Sequence, residues 1–224
     1  MFESLKVQIK INEDLYNKDP ESTKLGKNII SSSIILIDNL GFEAFTFKKL
    51  AIEINSTESS IYRYFDSKYS LLHYLYLWYW SWVEYKLVFG MANTKSAKER
   101  LIKAIEIISS PIEIDNDISH INEVVLQKII IAESIKVTHS KGVDEENEKG
   151  HYKVYKRVIK RISEVIKEIN PKYPFPGMLA FTLVDGSIEQ AHFSAHLTGV
   201  TEMKTANDTC LIDFYKDIIF NTLK

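Results

Sequence analysis

The chain has one cysteine, Cys210, in 224 residues. That excludes an intramolecular disulfide and a zinc site built from several cysteines. A lone thiol suits a reducing cytoplasm, which is the expected setting. Glycine and proline are scarce, 8 and 5 residues, and most sit between periodic segments. No internal repeat or long low-complexity stretch is present. No apolar run is long enough for a membrane span, which needs ~20 residues. The longest, Leu71 to Trp80, is interrupted by His73 and followed by Ser81 and Glu84. The first twenty residues, MFESLKVQIKINEDLYNKDP, hold no apolar core of signal-peptide length, so no leader is expected. Charge of one sign is also lacking. A net charge of −2 and a pI near 6.3 argue against a basic nucleic-acid coat, though not against a local surface of that kind. There is no His-Glu-x-x-His, no glycine-rich phosphate loop and no Gly-x-Ser-x-Gly elbow. Nothing nominates a catalytic nucleophile, and no enzyme activity, metal or cofactor is expected.

What the chain does have is helical periodicity and a 45% apolar fraction, ample for a buried core. Residues 1–21 read as an extension ending near Asp19-Pro20. A first helix runs from Ser22 or Thr23 to Leu40, with Ile30, Ile34 and Ile37 on one face, and Gly41 stops it. A short second helix starts after Thr46, a good N-cap, and turns Leu50, Ala51 and Ile54 inward. Asn55 tolerates the left-handed conformation of a tight turn. A third short helix begins at Ser56 or Thr57, and Asp66 or Ser67 caps a long fourth one from Lys68 to about Phe89. Further helices are expected over 96–109, 118–138, 144–169, 178–197 and 208–223. The fold class is all-α, with about nine helices and no sustained strand alternation.

Gly41 to Lys68, GFEAFTFKKLAIEINSTESSIYRYFDSK, carries the functional signal. Short helices joined by tight turns are the geometry of a helix-turn-helix, whose second helix enters the major groove with its first residues toward base edges. Thr57, Glu58, Ser59 and Ser60 are the small or hydrogen-bonding residues such a start needs, and Lys48 and Thr46 precede them on the second helix. Ile61 and Phe65 are inward anchors. Tyr62, Arg63, Tyr64 and Lys68 are candidates for phosphate contact.

Gly41-Phe42, Thr46, Leu50-Ala51, the turn at Asn55-Ser56 and the run Ile61-Tyr62-Arg63-Tyr64-Phe65-Asp66-Ser67-Lys68 together resemble the DNA-binding domain of the TetR family. The resemblance spans residues 22–72. It implies a DNA-binding domain over 22–68 and a helical ligand-binding and dimerisation domain over 69–224. Asn55 and Ser56 stand where the family usually has glycine and an aliphatic residue. Glu58 stands where a neutral or basic residue is common, although a carboxylate can accept from a cytosine amino group. Six basic residues in this region (Lys24, Lys27, Lys48, Lys49, Arg63, Lys68) are balanced by six acidic ones (Glu21, Asp38, Glu43, Glu53, Glu58, Asp66). Weak salt-sensitive non-specific binding follows.

The resemblance also assigns roles further along. The fourth helix, rich in aromatics, would wall an apolar ligand pocket through Trp78, Trp82 and Tyr85, which share a face with Phe89, against the alternative of plain core packing. Tyr85, His120 and His192 are candidates to orient the ligand. The last two helices would form a four-helix dimer interface through Ala191, Ala195, Leu211, Phe214 and Ile218. The expected protein is a cytoplasmic, homodimeric repressor that binds a palindromic DNA operator and answers to a small-molecule effector. Two other readings remain at this point. Glu189-x-x-His192, with Asp117-x-x-His120 as a loose echo, has the spacing of a helical-bundle metal oxidase, but supplies fewer ligands than such a site needs. A helical interaction module without DNA binding would account for Glu58 and the neutral domain. The basic stripe Lys153, Lys156, Arg157, Lys160, Arg161 and Lys167 reads as a solvated helix face.

Overall fold

The computed structural model describes residues 9, 11–112, 120–204 and 209–224. Among these it contains ten α-helices, two short 3-10 turns and no strand. No described helix is long and apolar enough to cross a membrane. The chain forms two compact units. One runs to Ser81 and resumes over Ile112–His151; the other holds Trp82–Pro111 and Tyr152–Lys224. The division falls inside the fourth helix rather than at Lys68, the boundary expected from the motif.

In the first unit, α1 (Lys24–Leu40), α2 (Phe47–Glu53) and α3 (Glu58–Tyr62) each start on a threonine. Thr23, Thr46 and Thr57 accept from the amides of Gly26, Lys49 and Ser60, three residues on in each case. This satisfies donors that the helix cannot pair itself. Ile29, Ile30, Ile34 and Ile37 of α1 are buried, as are Leu50, Ala51, Ile61 and Phe65 of the next two helices. α4 (Lys68–Met91) begins with a reciprocal pair, Ser67 N–H to Ser70 Oγ at 3.0 Å and Ser70 N–H to Ser67 Oγ at 3.1 Å. Of the two cap candidates, Ser67 is the cap. α6 (Glu123–Thr138), capped by Asn122, packs on α1, and the short α7 (Val143–Glu148) follows. Residues 118 and 117, expected in this region, lie outside the described residues.

The second unit holds the end of α4 with α5 (Ala97–Ser109), α8 (Lys153–Ile169), α9 (Pro176–His196) and α10 (Cys210–Thr222). α8 is one-sided: Val158, Ile162, Val165 and Ile166 are buried against α5 and α9. Its basic stripe is partly paired. Arg157 and Arg161 both reach Glu84, at 2.7 and 3.0 Å. Burial alone would raise the Glu84 carboxyl, but the two guanidinium groups outweigh it and hold the group below its usual value. α10 packs on α5 and α9 through Leu211, Tyr215 and Ile219.

Three expectations are corrected. The single helix over 144–169 is two, α7 and α8. Gly150 takes φ 84°, and the His151 N–H returns to the Glu146 carbonyl at 3.0 Å, closing α7 with a left-handed cap. This accounts for ten helices rather than about nine. α4 does not present one aromatic face. Every residue from Leu71 to Trp80 is buried, since a helix apolar all round is surrounded on all sides, whereas Phe89 is exposed. The supposed extension is packed from Ile11 onward, with Ile11, Leu15 and Pro20 in the core and 3-10 turns at Glu13–Leu15 and Pro20–Ser22.

Candidate nucleic-acid interface

α2 and α3 are joined by a tight turn at Asn55, which takes φ 50°. The Ser56 N–H reaches the Ala51 carbonyl at 2.9 Å and the Asn55 N–H the Ile52 carbonyl at 3.2 Å. These are the two bonds of a Schellman ending, in which asparagine substitutes for glycine at low cost. The departure at Asn55 therefore preserves the turn.

Behind α3, Ile61 and Phe65 are fully buried. Its open side shows Thr57, Glu58, Ser59, Tyr62 and Arg63, with Ser60 half-buried. The hydroxyls form a chain: Thr57 Oγ1 lies 3.0 Å from Ser59 Oγ and 2.8 Å from Ser60 Oγ, which accepts from Arg63 at 3.3 Å. Tyr62 is 47% exposed, its ring edge-on to Phe47 at 5.1 Å. Thr46 and Lys48 are exposed beside it on the α2 side.

Two expected phosphate contacts are engaged inward. Tyr64 is 2% exposed, and its hydroxyl meets Thr23 Oγ1 at 2.8 Å. Lys68 Nζ donates to the carbonyls of Phe42, Glu43 and Phe45, at 3.0, 3.1 and 3.4 Å, and lies 4.7 Å from the Phe42 ring centroid. An ammonium has three donors, and three carbonyls occupy them. Two acidic groups are also occupied. Glu43 pairs with Lys136 of α6 at 3.3 Å, and Asp66 accepts from Asn17 at 2.6 Å. Lys136 offsets the charge of Glu43, whereas Asp66, bonded to a neutral amide, keeps its own.

Residues 29–75 match the model of the bacterial regulatory proteins, tetR family. Over that stretch, about a fifth of the chain, the helix-turn-helix described above is similar to that family. Solved structures share the fold over most of the chain. A candidate transcriptional regulator from Saccharomonospora viridis, solved with choline, is 17% identical with a TM-score of 0.63, covering 88% of this chain and 97% of its own. A tetR-family regulatory protein from Rhodococcus RHA1 is 14% identical at TM-score 0.59, with 90% and 96% covered. AibR, solved with isovaleryl coenzyme A and operator DNA, is 14% identical at TM-score 0.56, with 87% and 98% covered. At these identities the likeness is one of fold. No curated protein matches the chain.

The remaining candidate residues divide between the two units. In the first, Trp78 is buried, and His120 Nε2 lies 2.9 Å from Glu21 Oε1, which also receives the Tyr74 hydroxyl at 3.5 Å. In the second, Trp82 is buried with Lys86 5.3 Å above its ring, Tyr85 stacks at a tilt on Phe89 at 4.5 Å, and His192 lies 4.7 Å from the His196 ring. Among the described residues no group of three or more His, Cys, Asp or Glu is placed to hold a metal ion, and Asp117 lies outside them. On α9, Ala191 is half-buried and Ala195 exposed. On α10, Phe214 and Ile218 are 46% and 38% exposed, while Leu211 is buried in its own subunit.

Proposed function

We propose that this protein is a cytoplasmic, homodimeric, ligand-responsive repressor that binds a palindromic operator. The observation that carries the DNA side is the α2–turn–α3 geometry, with a polar open side on a fully buried apolar rear. Thr57, Glu58, Ser59 and Ser60 with Lys48 read bases, while Thr46, Tyr62 and Arg63 meet phosphates. Tyr64 and Lys68 serve from behind, holding the fold that presents the others. Dimerisation is supported by exposed apolar side chains on α9 and α10, Met178, Phe181, Phe214 and Ile218, and by Phe175 just before α9. Such a dimer sets two recognition helices ~34–36 Å apart, one turn of DNA.

AibR was solved with an acyl coenzyme A and its operator, and the Saccharomonospora viridis protein with choline. A small-molecule effector for this chain rests on that likeness of fold and on the aromatic density of α4. Trp82, Tyr85 and His192 in the second unit are its candidate contacts, and Trp78 and His120 in the first are candidates considered separately. An effector shifts the population toward a dimer misplaced for the operator. The test is selection of bound fragments from the source organism's DNA by the purified protein, followed by gel shift across a salt series. Enrichment of a two-fold-symmetric sequence is expected. No enriched sequence overturns the reading.

A further inference from the structure

Residues 11–22 pack against the helix-turn-helix, yet the function above does not use them. Ile11, Leu15 and Pro20 are buried, which anchors the segment. From that anchorage Asn17 reaches the end of α3. Its backbone N–H donates to the Tyr64 carbonyl at 2.9 Å. Its side-chain amide donates to Asp66 Oδ1 at 2.6 Å and, at 3.4 Å, to the Tyr62 carbonyl. Both side-chain partners only accept, which fixes the orientation of the amide.

The neighbours add to this grip. Lys18 Nζ lies 5.2 Å from the Tyr64 ring centroid. Thr23, which caps α1, holds the Tyr64 hydroxyl. Gly26 lets the segment lie flat on α1, since a Cβ there would stand 2.2 Å from the Pro20 carbonyl oxygen. α3 is only five residues long, too short to persist on its own. Its start is held by Thr57 and the Asn55 turn. Its end, which carries Tyr62 and Arg63, is held by Asn17.

We propose that Asn17 is a positioning residue for sequence reading: residues 11–22 form a strap that sets the end of the recognition helix, and through it the placement of Tyr62 and Arg63 on DNA. This rests on the DNA-binding reading above. The test is the ratio of operator to random-DNA affinity, measured at one salt concentration. Asn17→Asp removes the donor and sets a second carboxylate against Asp66, so the ratio should fall about tenfold. Adding Asp66→Asn restores a donor–acceptor pair in reverse order and should bring the ratio back to within about threefold. Asn17→Ala, which adds no charge, should show a smaller loss, about threefold, and serves if Asn17→Asp does not fold. A folded Asn17→Asp or Asn17→Ala protein with unchanged discrimination overturns the proposal, as does a folded double variant with no recovery. If the wild-type chain selects no DNA, the DNA reading fails, and amide exchange over Tyr62–Asp66 decides the strap by itself. Faster exchange in Asn17→Asp, slowed again in the double variant, supports it. Unchanged exchange overturns it.

Discussion

The helices α1, α2 and α3 of the first unit and the helices α8, α9 and α10 of the second are held in opposite ways. Each of the first three starts on a threonine whose hydroxyl accepts from the amide three residues on. α8, α9 and α10 have no side-chain cap at their starts and stay in place through buried residues such as Leu183, Val184, Tyr215 and Ile219. In the first region a boundary is the property of one residue. In the second it is spread over a packed surface, and two of its apolar side chains, Phe214 and Ile218, stay 46% and 38% exposed. In the dimer proposed above, a second subunit would cover them.

The sharpest way to break this comparison is to charge that outward surface. Ile218→Asp combined with Phe214→Asp should leave the subunit folded, convert it to a monomer in sedimentation, and weaken operator binding at least ~100-fold, because two half-sites can no longer be engaged together. Leu211→Ala, at a buried position, should instead cost ~2–5 kcal/mol of subunit stability. A doubly charged variant that stays dimeric would place the interface elsewhere.

Acid should separate the two regions next. His73 of α4 is buried in the first unit, 3.8 Å from Glu146 and 5.2 Å, ring to ring, from His151. Burial pushes its pKa down to about 4, more than Glu146 raises it, and His151 lowers it further. His151 is itself lowered, mainly by burial, against the pull of Glu146 and Asp14 and with a smaller push from Lys149. An unfolded histidine titrates near 6.5, so the unfolded state takes up protons first as pH falls. The stabilisation from the neutral imidazole is complete above about pH 6.5 and is lost as pH drops toward 4, by up to about 3 kcal/mol for His73. Amide exchange should show the first unit opening in that window. His73→Gln should flatten the dependence.

At the α2–α3 turn the expected effects are smaller. Asn55→Gly should be close to neutral, whereas Asn55→Val, forced to the same positive φ, should lower stability by ~1–2 kcal/mol in thermal melts. If both behave alike, the turn is not fixed by that residue. The smallest effect separates internal from external charge. Arg63→Ala should lower the slope of log affinity against log salt by about one unit, and Lys68→Ala should leave it unchanged while lowering the melting temperature. A slope change for Lys68→Ala would mean its ammonium leaves the carbonyls of Phe42, Glu43 and Phe45 for a phosphate.

The features legible beforehand obey rules that operate within a few residues. Thr46 and Thr57 as caps, Gly41 as a stop, Asn55 as the turn, and Ile61 and Phe65 as anchors all follow from local chemistry, and that is why the all-helical fold and the helix-turn-helix could be read. What could not be read depends on distant partners. Tyr64 looks like a surface tyrosine until Thr23 is brought beside it. Lys68 looks like a free cation until the α1–α2 loop supplies carbonyls. The strap had a faint signal, Ile11 and Leu15 one helical turn apart, followed by Asp19-Pro20. Nothing local distinguishes that from a solvated tail. Gly150 was a missed local signal, since it ends α7 by the same bonding pattern that Asn55 uses to end α2.

All three tryptophans, Trp78, Trp80 and Trp82, fall within five residues of α4, and all are buried. The intrinsic fluorescence of this protein is therefore a readout of one location. Its emission should be that of indoles shielded from water, and any red shift should report exposure of the middle of α4 and nothing else. The recognition helix has a tyrosine but no tryptophan, so it is silent when only the indoles are excited. A quench or shift on adding DNA would thus be a change transmitted along the protein rather than a contact, and the native chain needs no label to reveal it.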